Sequence, residues 1–238
     1  MRLGLLICDE SKSTIDHPCG SYLNMFQKLF SEFKEVELVG FDLIQGEYPQ
    51  DLTEFDGFVS TGSSVSVYDD LIWVQEFEEF LRTLHRLDIK FFGICFGHQM
   101  LARALGGEVG KATQGWMVGV KSVEVHSVQD WMDPNIQTSA ENKTKVNIIS
   151  SHQDQVLTLP KDGFPIASSL DCPLAMFGVG ENFVGIQGHP EFQREYAEPL
   201  LESRRGMIGD VIVDQAIQSY EEVLDSKGVA RWIVNFMK

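Results

Sequence analysis

The sequence predicts an α/β protein with a mostly parallel central sheet flanked by helices and a small region of mixed or antiparallel strands. Three observations carry that prediction. Short continuous apolar runs, expected of strands covered on both faces, recur in the first part of the chain. They alternate with stretches whose apolar residues return at a helical period. The middle of the chain then changes to short strands at close spacing, as antiparallel ribbons do.

Residues 3–8 form the first apolar run and predict a buried strand. From Tyr22 to Phe33 the apolar positions 22, 23, 25, 26, 29, 30 and 33 predict a helix. Val36–Phe41 is strand-like, and Asp56–Ser60 is a short strand opened by a turn signal. Leu71–Leu87 predicts a second helix, with apolar positions 73, 74, 77, 80, 81, 84 and 87. Lys90–Cys95 is a buried strand. The helix after it runs through Leu105 and stops at Gly106-Gly107. Val118–Val125 and Val146–Ile149 alternate apolar with polar residues, and strands at Ile166–Ser169, Leu174–Val179 and Phe183–Gln187 follow. Asp130–Lys145 reads as a polar surface loop. Residues 194–237 read as acidic and helical, with one helix from Ile208 to Val223. Without repeats or a linker, the expectation is a single domain over 1–238, with 195–238 as a C-terminal helical extension.

Composition removes several classes of function. Lys and Arg number 19 against 35 Asp and Glu, a formal net charge of −16. Nucleic-acid binding rests on cationic neutralisation of phosphates, so no nucleic-acid partner is expected. A polybasic membrane anchor is disfavoured in the same way. No apolar run approaches the ~18 residues of a membrane-spanning helix. Residues 1–10 stop too soon for a signal peptide and lack a small-residue cleavage site. Cys8, Cys19, Cys95 and Cys172 are scattered, with no metal-type pair. Reduced thiols in a cytoplasmic protein are therefore expected, with no metal and no cofactor.

The chemistry concentrates at Gly93-Ile94-Cys95-Phe96-Gly97-His98-Gln99. Gly-x-Cys-x-Gly between a strand and a helix follows the nucleophile-elbow pattern, with sulfur as the nucleophile. The glycines make room for a sharp turn. The helix N-terminus favours the thiolate, and the N–H of Phe96 is placed to receive an oxyanion. The competing reading of Cys95 is a buried structural thiol. Cys8, Cys19 and Cys172 read as structural.

A cysteine nucleophile needs a base. Of the histidines at 17, 85, 98, 126, 152 and 189, His189 stands out, because it follows an apolar strand at the end where α/β sheets build their sites. His98 is a minor candidate. Pro190 stiffens the link to Glu191, which in extended chain falls on the same side as His189 and can orient its imidazole.

Together, the elbow and Gly188-His189-Pro190-Glu191-Phe192 closely resemble the class I, triad-type glutamine amidotransferases. Ser60-Thr61-Gly62-Ser63-Ser64 stands where that family has its oxyanion loop. Ser151-His152-Gln153-Asp154-Gln155-Val156 resembles a further family segment. The likeness spans about residues 1–195 and is nearest to the stand-alone, GMP-synthase-like group that includes plant γ-glutamyl peptidases. It implies a flavodoxin-like fold, with Cys95 as nucleophile, His189 as base and Glu191 as its orienting acid. It implies Phe96 and Ser63 as backbone oxyanion donors, and Gln99 and Gly62 as substrate-binding residues. Two departures matter. Ser63 stands for the family's second glycine and Ser64 for its proline, which implies a loop of different shape or greater mobility. His152 is expected to shape the pocket wall or a partner surface.

The resemblance implies cysteine-dependent hydrolysis of a γ-glutamyl amide, glutamine or a γ-glutamyl peptide, through a γ-glutamyl thioester. One alternative is a glutaminase subunit delivering ammonia to a separate synthetase. No Gly-x-x-x-x-Gly-Lys loop follows residue 195, so any synthesis is expected on another chain. The other alternative is a non-catalytic binding module, against which the intact Cys95, His189 and Glu191 set argues. The expected partner is thus a small γ-glutamyl molecule. A homodimer contact through the extension and a synthetase subunit remain open.

Overall fold

The computed structural model describes residues 1–9, 20–133 and 144–238. In chain order these form β1 (Arg2–Ile7), α1 (Tyr22–Leu29), β2 (Glu37–Asp42), β3 (Gly57–Ser60), α2 (Ile72–Arg86), β4 (Phe91–Ile94), α3 (Phe96–Ala104), β5 (Glu108–Lys111), β6 (Met117–Val125), β7 (Lys145–His152), β8 (Asp154–Thr158), β9 (Gly163–Ser168), β10 (Met176–Val179), β11 (Phe183–Ile186), α4 (Arg194–Ser203), α5 (Arg205–Ile208), α6 (Asp210–Ser219) and α7 (Ser226–Met237). Cys19 and His17 lie outside the described residues.

Nine strands make one sheet in the order β2-β1-β3-β4-β11-β10-β9-β6-β7. The pairings from β2 to β11 are parallel, and those from β11 to β7 are antiparallel. The antiparallel strands thus extend the parallel sheet itself. A separate two-stranded sheet, β5 with β8, has no counterpart among the strands the sequence predicts.

Each central strand contributes alternate residues to two apolar cores, because successive side chains point to opposite faces. Leu3, Leu5, Val59, Phe92 and Ile94 pack on the face covered by α1 and α7. Leu6, Phe58 and Phe91 pack on the opposite face, beneath α2 and α3. Helix α7 is deeply embedded. Trp232, Ile233 and Val234 are fully buried, and the Phe236 ring meets Phe92 edge-on with centroids 6.0 Å apart. Such a ring pair adds about 0.5–1.5 kcal/mol beyond its area burial.

The stretch 130–145, which the sequence reads as a surface loop, is described only at its ends. Met132 is buried, Trp131 packs edge-on against Trp232 and Phe236, and Lys145 already opens β7. The remainder, 134–143, lies outside the described residues. Among the described residues, no helix is long and apolar enough to cross a membrane.

Candidate active site

Strands β1, β3, β4 and β11 run in parallel, so their C-terminal ends meet at one edge of the sheet. Residues beyond those ends are brought together there, as parallel α/β sheets generally arrange their sites.

Cys95 follows β4 and caps α3 with φ 50° and ψ −95°. A non-glycine residue in that region stores about 1–3 kcal/mol of strain. The turn is fixed because the Cys95 N–H donates to the Ile186 carbonyl at 2.9 Å. The flanking glycines are there for space. A Cβ on Gly93 would lie 2.5 Å from the Gly97 backbone, and one on Gly97 would run into Ser60 Oγ. Phe96 is the first residue of α3, so its N–H has no partner within the helix.

His189 comes three residues after β11. Its backbone N–H donates to the Ile149 carbonyl at 2.8 Å, pinning the strand end to β7. Its Nδ1 is 2.8 Å from Glu191 Oε1, and both side chains are buried. The Phe192 ring stacks on the imidazole with centroids 3.9 Å apart and planes 10° apart, and Tyr196 backs Phe192 at 4.6 Å. Burial alone would pull the His189 pKa down. The charges of Cys95 and Glu191 and hydrogen bonds to both override it and push the pKa up to about 10.

Gly62 lies against both groups. A Cβ there would sit 2.7 Å from His189 Cε1 and 3.5 Å from Cys95 Cβ. The loop it begins is anchored at several points. Thr61 Oγ1 accepts from the Cys8 N–H at 2.9 Å, and Ser64 Oγ bonds Asp9 Oδ1 at 2.9 Å. Asp154 holds Ser66 and Tyr68 through its two carboxylate oxygens. Ser63 is not among the non-glycine residues with positive φ, so this loop follows a path that needs no second glycine. The departures from the family pattern therefore fit a loop of different shape.

Gln99 is buried, and its Nε2 donates to the Asp154 carbonyl at 2.8 Å and to Gln187 Oε1 at 3.2 Å. Gln187 Nε2 in turn donates to Cys95 Sγ at 3.5 Å. The Asp154 carbonyl can only accept, so this chain fixes the orientation of both amides and directs an N–H at the sulfur. Sequence reasoning misses Gln187, although it shares a side with His189 two residues on, and that spacing is the signal that could find it. Phe192 and Asp154 stand within the family-like segments, but their contacts, a ring stacked on His189 and a hold on Ser66, Tyr68 and Gln99, come from the structure.

Buried His98 and His152 are both held neutral, with pKa values lowered to about 3 by desolvation; the charge of His189 adds to the effect at His152. Burial likewise pushes up the thiols of Cys8 and Cys172. Cys95 is thus the described cysteine that faces an imidazole.

The sheet thus sets a cysteine elbow and a carboxylate-bound histidine at the same end of its parallel strands. The family model for glutamine amidotransferase class-I matches residues 18–204, and the chain belongs to that family. It is 34% identical to gamma-glutamyl peptidase 3 of Arabidopsis thaliana over 196 residues, covering 82% of this chain and 78% of the relative. It is also 34% identical over 167 residues to one subunit of the glutamine-hydrolyzing GMP synthase of Natronomonas pharaonis, covering 69% of this chain and 82% of that one. The crystal structure of a glutamine amidotransferase from Thermotoga maritima superposes with a TM-score of 0.75 at 21% identity. That match covers 99% of this chain and 95% of the other.

Proposed function

We propose that this protein hydrolyses a γ-glutamyl amide, with Cys95 as nucleophile, His189 as general base and acid, and Glu191 as its orienting carboxylate. Cys95 Sγ attacks the δ-carbonyl carbon, and the C=O electron pair moves to oxygen. The backbone N–H groups of Phe96 and Ser63 receive that oxyanion. Protonated His189 passes its proton to the leaving nitrogen as the C–N bond breaks, releasing ammonia or an amine. Water, deprotonated by His189, then attacks the γ-glutamyl thioester; glutamate leaves and the thiol is restored. Gln99 acts through Gln187 and Gly62 provides clearance at the reacting carbon.

The observation that carries this reading is His189 Nδ1 bound to Glu191 Oε1 at 2.8 Å while Gly62 lies against both that imidazole and the strained Cys95. Hydrogen bonding at Nδ1 leaves Nε2 for the thiol and the leaving group. The likeness to a plant γ-glutamyl peptidase supports a γ-glutamyl substrate. The test is release of ammonia, amine and glutamate by the purified protein from glutamine, γ-glutamyl dipeptides and glutathione conjugates. Turnover is expected without ATP or a partner. The likeness to a GMP synthase component favours a second reading, a glutaminase that feeds ammonia to a separate synthetase. Silence on the whole panel, relieved only by a synthetase and ATP, would select it.

A further inference from the structure

We infer that Tyr22 and Tyr196 are positioning residues, the middle of a side-chain strap that holds the proposed oxyanion loop at a fixed distance from the proposed base. The inference rests on the reaction proposed at Cys95 and deepens it.

The strap runs from atom to atom. Ser64, in the loop after β3, donates its hydroxyl to Asp9 Oδ1 at 2.9 Å. The Tyr22 hydroxyl donates to the other oxygen of that carboxylate, Oδ2, at 3.4 Å. The Tyr196 hydroxyl donates in turn to Tyr22 Oη at 3.4 Å, and the two rings meet edge-on with centroids 6.3 Å apart. Tyr196 packs on Phe192 at 4.6 Å, and Phe192 is the ring stacked on the His189 imidazole. The hydroxyls are all directed towards Asp9, because an ionised carboxylate can only accept.

Both ends are anchored. Asp9 follows Cys8, whose N–H donates to Thr61 Oγ1 at 2.9 Å, and the Thr61 N–H donates to the Leu6 carbonyl at 3.0 Å, so the end of β1 and the root of the loop are clamped together. Tyr22 is buried and opens α1 behind a cap in which Ser21 and Asn24 bond each other reciprocally. Lys28, on the same helix, donates to Gln193 Oε1 at 2.6 Å, a second tie from α1 to the segment after His189. Burial raises the pKa of both phenols, and the charges of Asp9 and Glu191 add to the effect, so the pair senses the loop's carboxylate and the base's alike.

The strap answers a need of this loop. A proline would fix the backbone at position 64, and this chain has Ser64 there. Oxyanion donors act by being fixed before charge develops. Here side-chain contacts supply the stiffness that the backbone lacks.

The test joins steady-state kinetics on the panel above to amide hydrogen exchange of residues 62–66, read by mass spectrometry, which needs no turnover. Tyr22→Phe and Ser64→Ala cut the strap on either side of Asp9. Each is expected to lower kcat about 10-fold, the low end for a hydrogen bond to a charged group, with KM little changed. The double variant should fall no further than the worse single one, because both changes break the same connection. Asp9→Asn keeps an oxygen that accepts from either hydroxyl, so it should retain activity that Asp9→Ala loses. Exchange at 62–66 should quicken in Tyr22→Phe, although that hydroxyl is bonded to Asp9 and not to the loop. Multiplied losses in the double variant, a rise in KM in place of the fall in kcat, or unchanged exchange in Tyr22→Phe overturns the strap even where γ-glutamyl turnover is found. Quickened exchange in a protein that turns over no γ-glutamyl compound removes the hydrolytic reading and leaves the strap standing.

Discussion

The side-chain amide of Gln187 donates to Cys95 Sγ at 3.5 Å, and Gln99 holds its oxygen at 3.2 Å. Since hydrogen bonds to charged groups contribute about 1.5–3 kcal/mol, Gln187→Met should lower kcat/KM roughly 10- to 100-fold. The same change should alter the rate at which iodoacetamide alkylates Cys95 at fixed pH. An unchanged rate would remove Gln187 from the sulfur's environment.

Gly62→Ala should reduce kcat strongly with little loss of stability. The added Cβ would lie 2.7 Å from His189 Cε1, and that ring cannot yield freely, because Phe192 is stacked on it. Misplacing a reacting group by about 1 Å costs about 10²-fold. Steady-state kinetics beside a thermal melt separates the two effects; wild-type kcat would mean that the imidazole has room to move.

Glu191→Gln should cut kcat by about 10²- to 10⁴-fold, because an amide cannot stabilise the imidazolium and can favour the wrong tautomer. Asp154→Asn should act differently. Its carboxylate holds Ser66 and Tyr68, so its loss should loosen the oxyanion loop and leave the charge on His189 alone. If Asp154→Asn abolishes turnover while Glu191→Gln does not, the carboxylate partner is misassigned.

The pH dependence follows from His189. Its folded pKa of about 10 exceeds the ordinary value of about 6.5, so the folded state holds this proton more tightly than the unfolded chain. The stability it contributes is complete below about pH 6.5 and is lost as pH rises towards 10. The alkaline limb of kcat/KM should fall in the same upper region. Glu191→Gln removes one of the charges that raise the pKa, so its limb should move towards neutrality. Coincident limbs for the two proteins would contradict this.

The elbow and the His-Pro-Glu turn are legible because each is local. Two glycines flanking Cys95, and a carboxylate two residues from His189, are constraints written within a few positions. The buried strands are legible for a similar reason, since a parallel strand covered on both faces must be apolar throughout. What escapes depends on distant partners. Glu108–Lys111 is four residues long, contains a glycine, and becomes a strand only by pairing with Asp154–Thr158. Trp131 and Met132 look like part of a polar loop until α7 is set beside them. Nothing around Asp154 announces that Ser66 and Tyr68 will arrive at its carboxylate.

The backbone at Cys95 has a consequence for descent. With φ at 50°, the side chain proposed as the nucleophile also makes the position uncomfortable, and glycine would relieve the discomfort while ending the proposed chemistry. Thermostability and usefulness therefore pull against each other at one codon. In a lineage released from the need to cleave amides, drift at this site would run downhill towards glycine, so persistence of the thiol there is a sign of continuing selection for turnover.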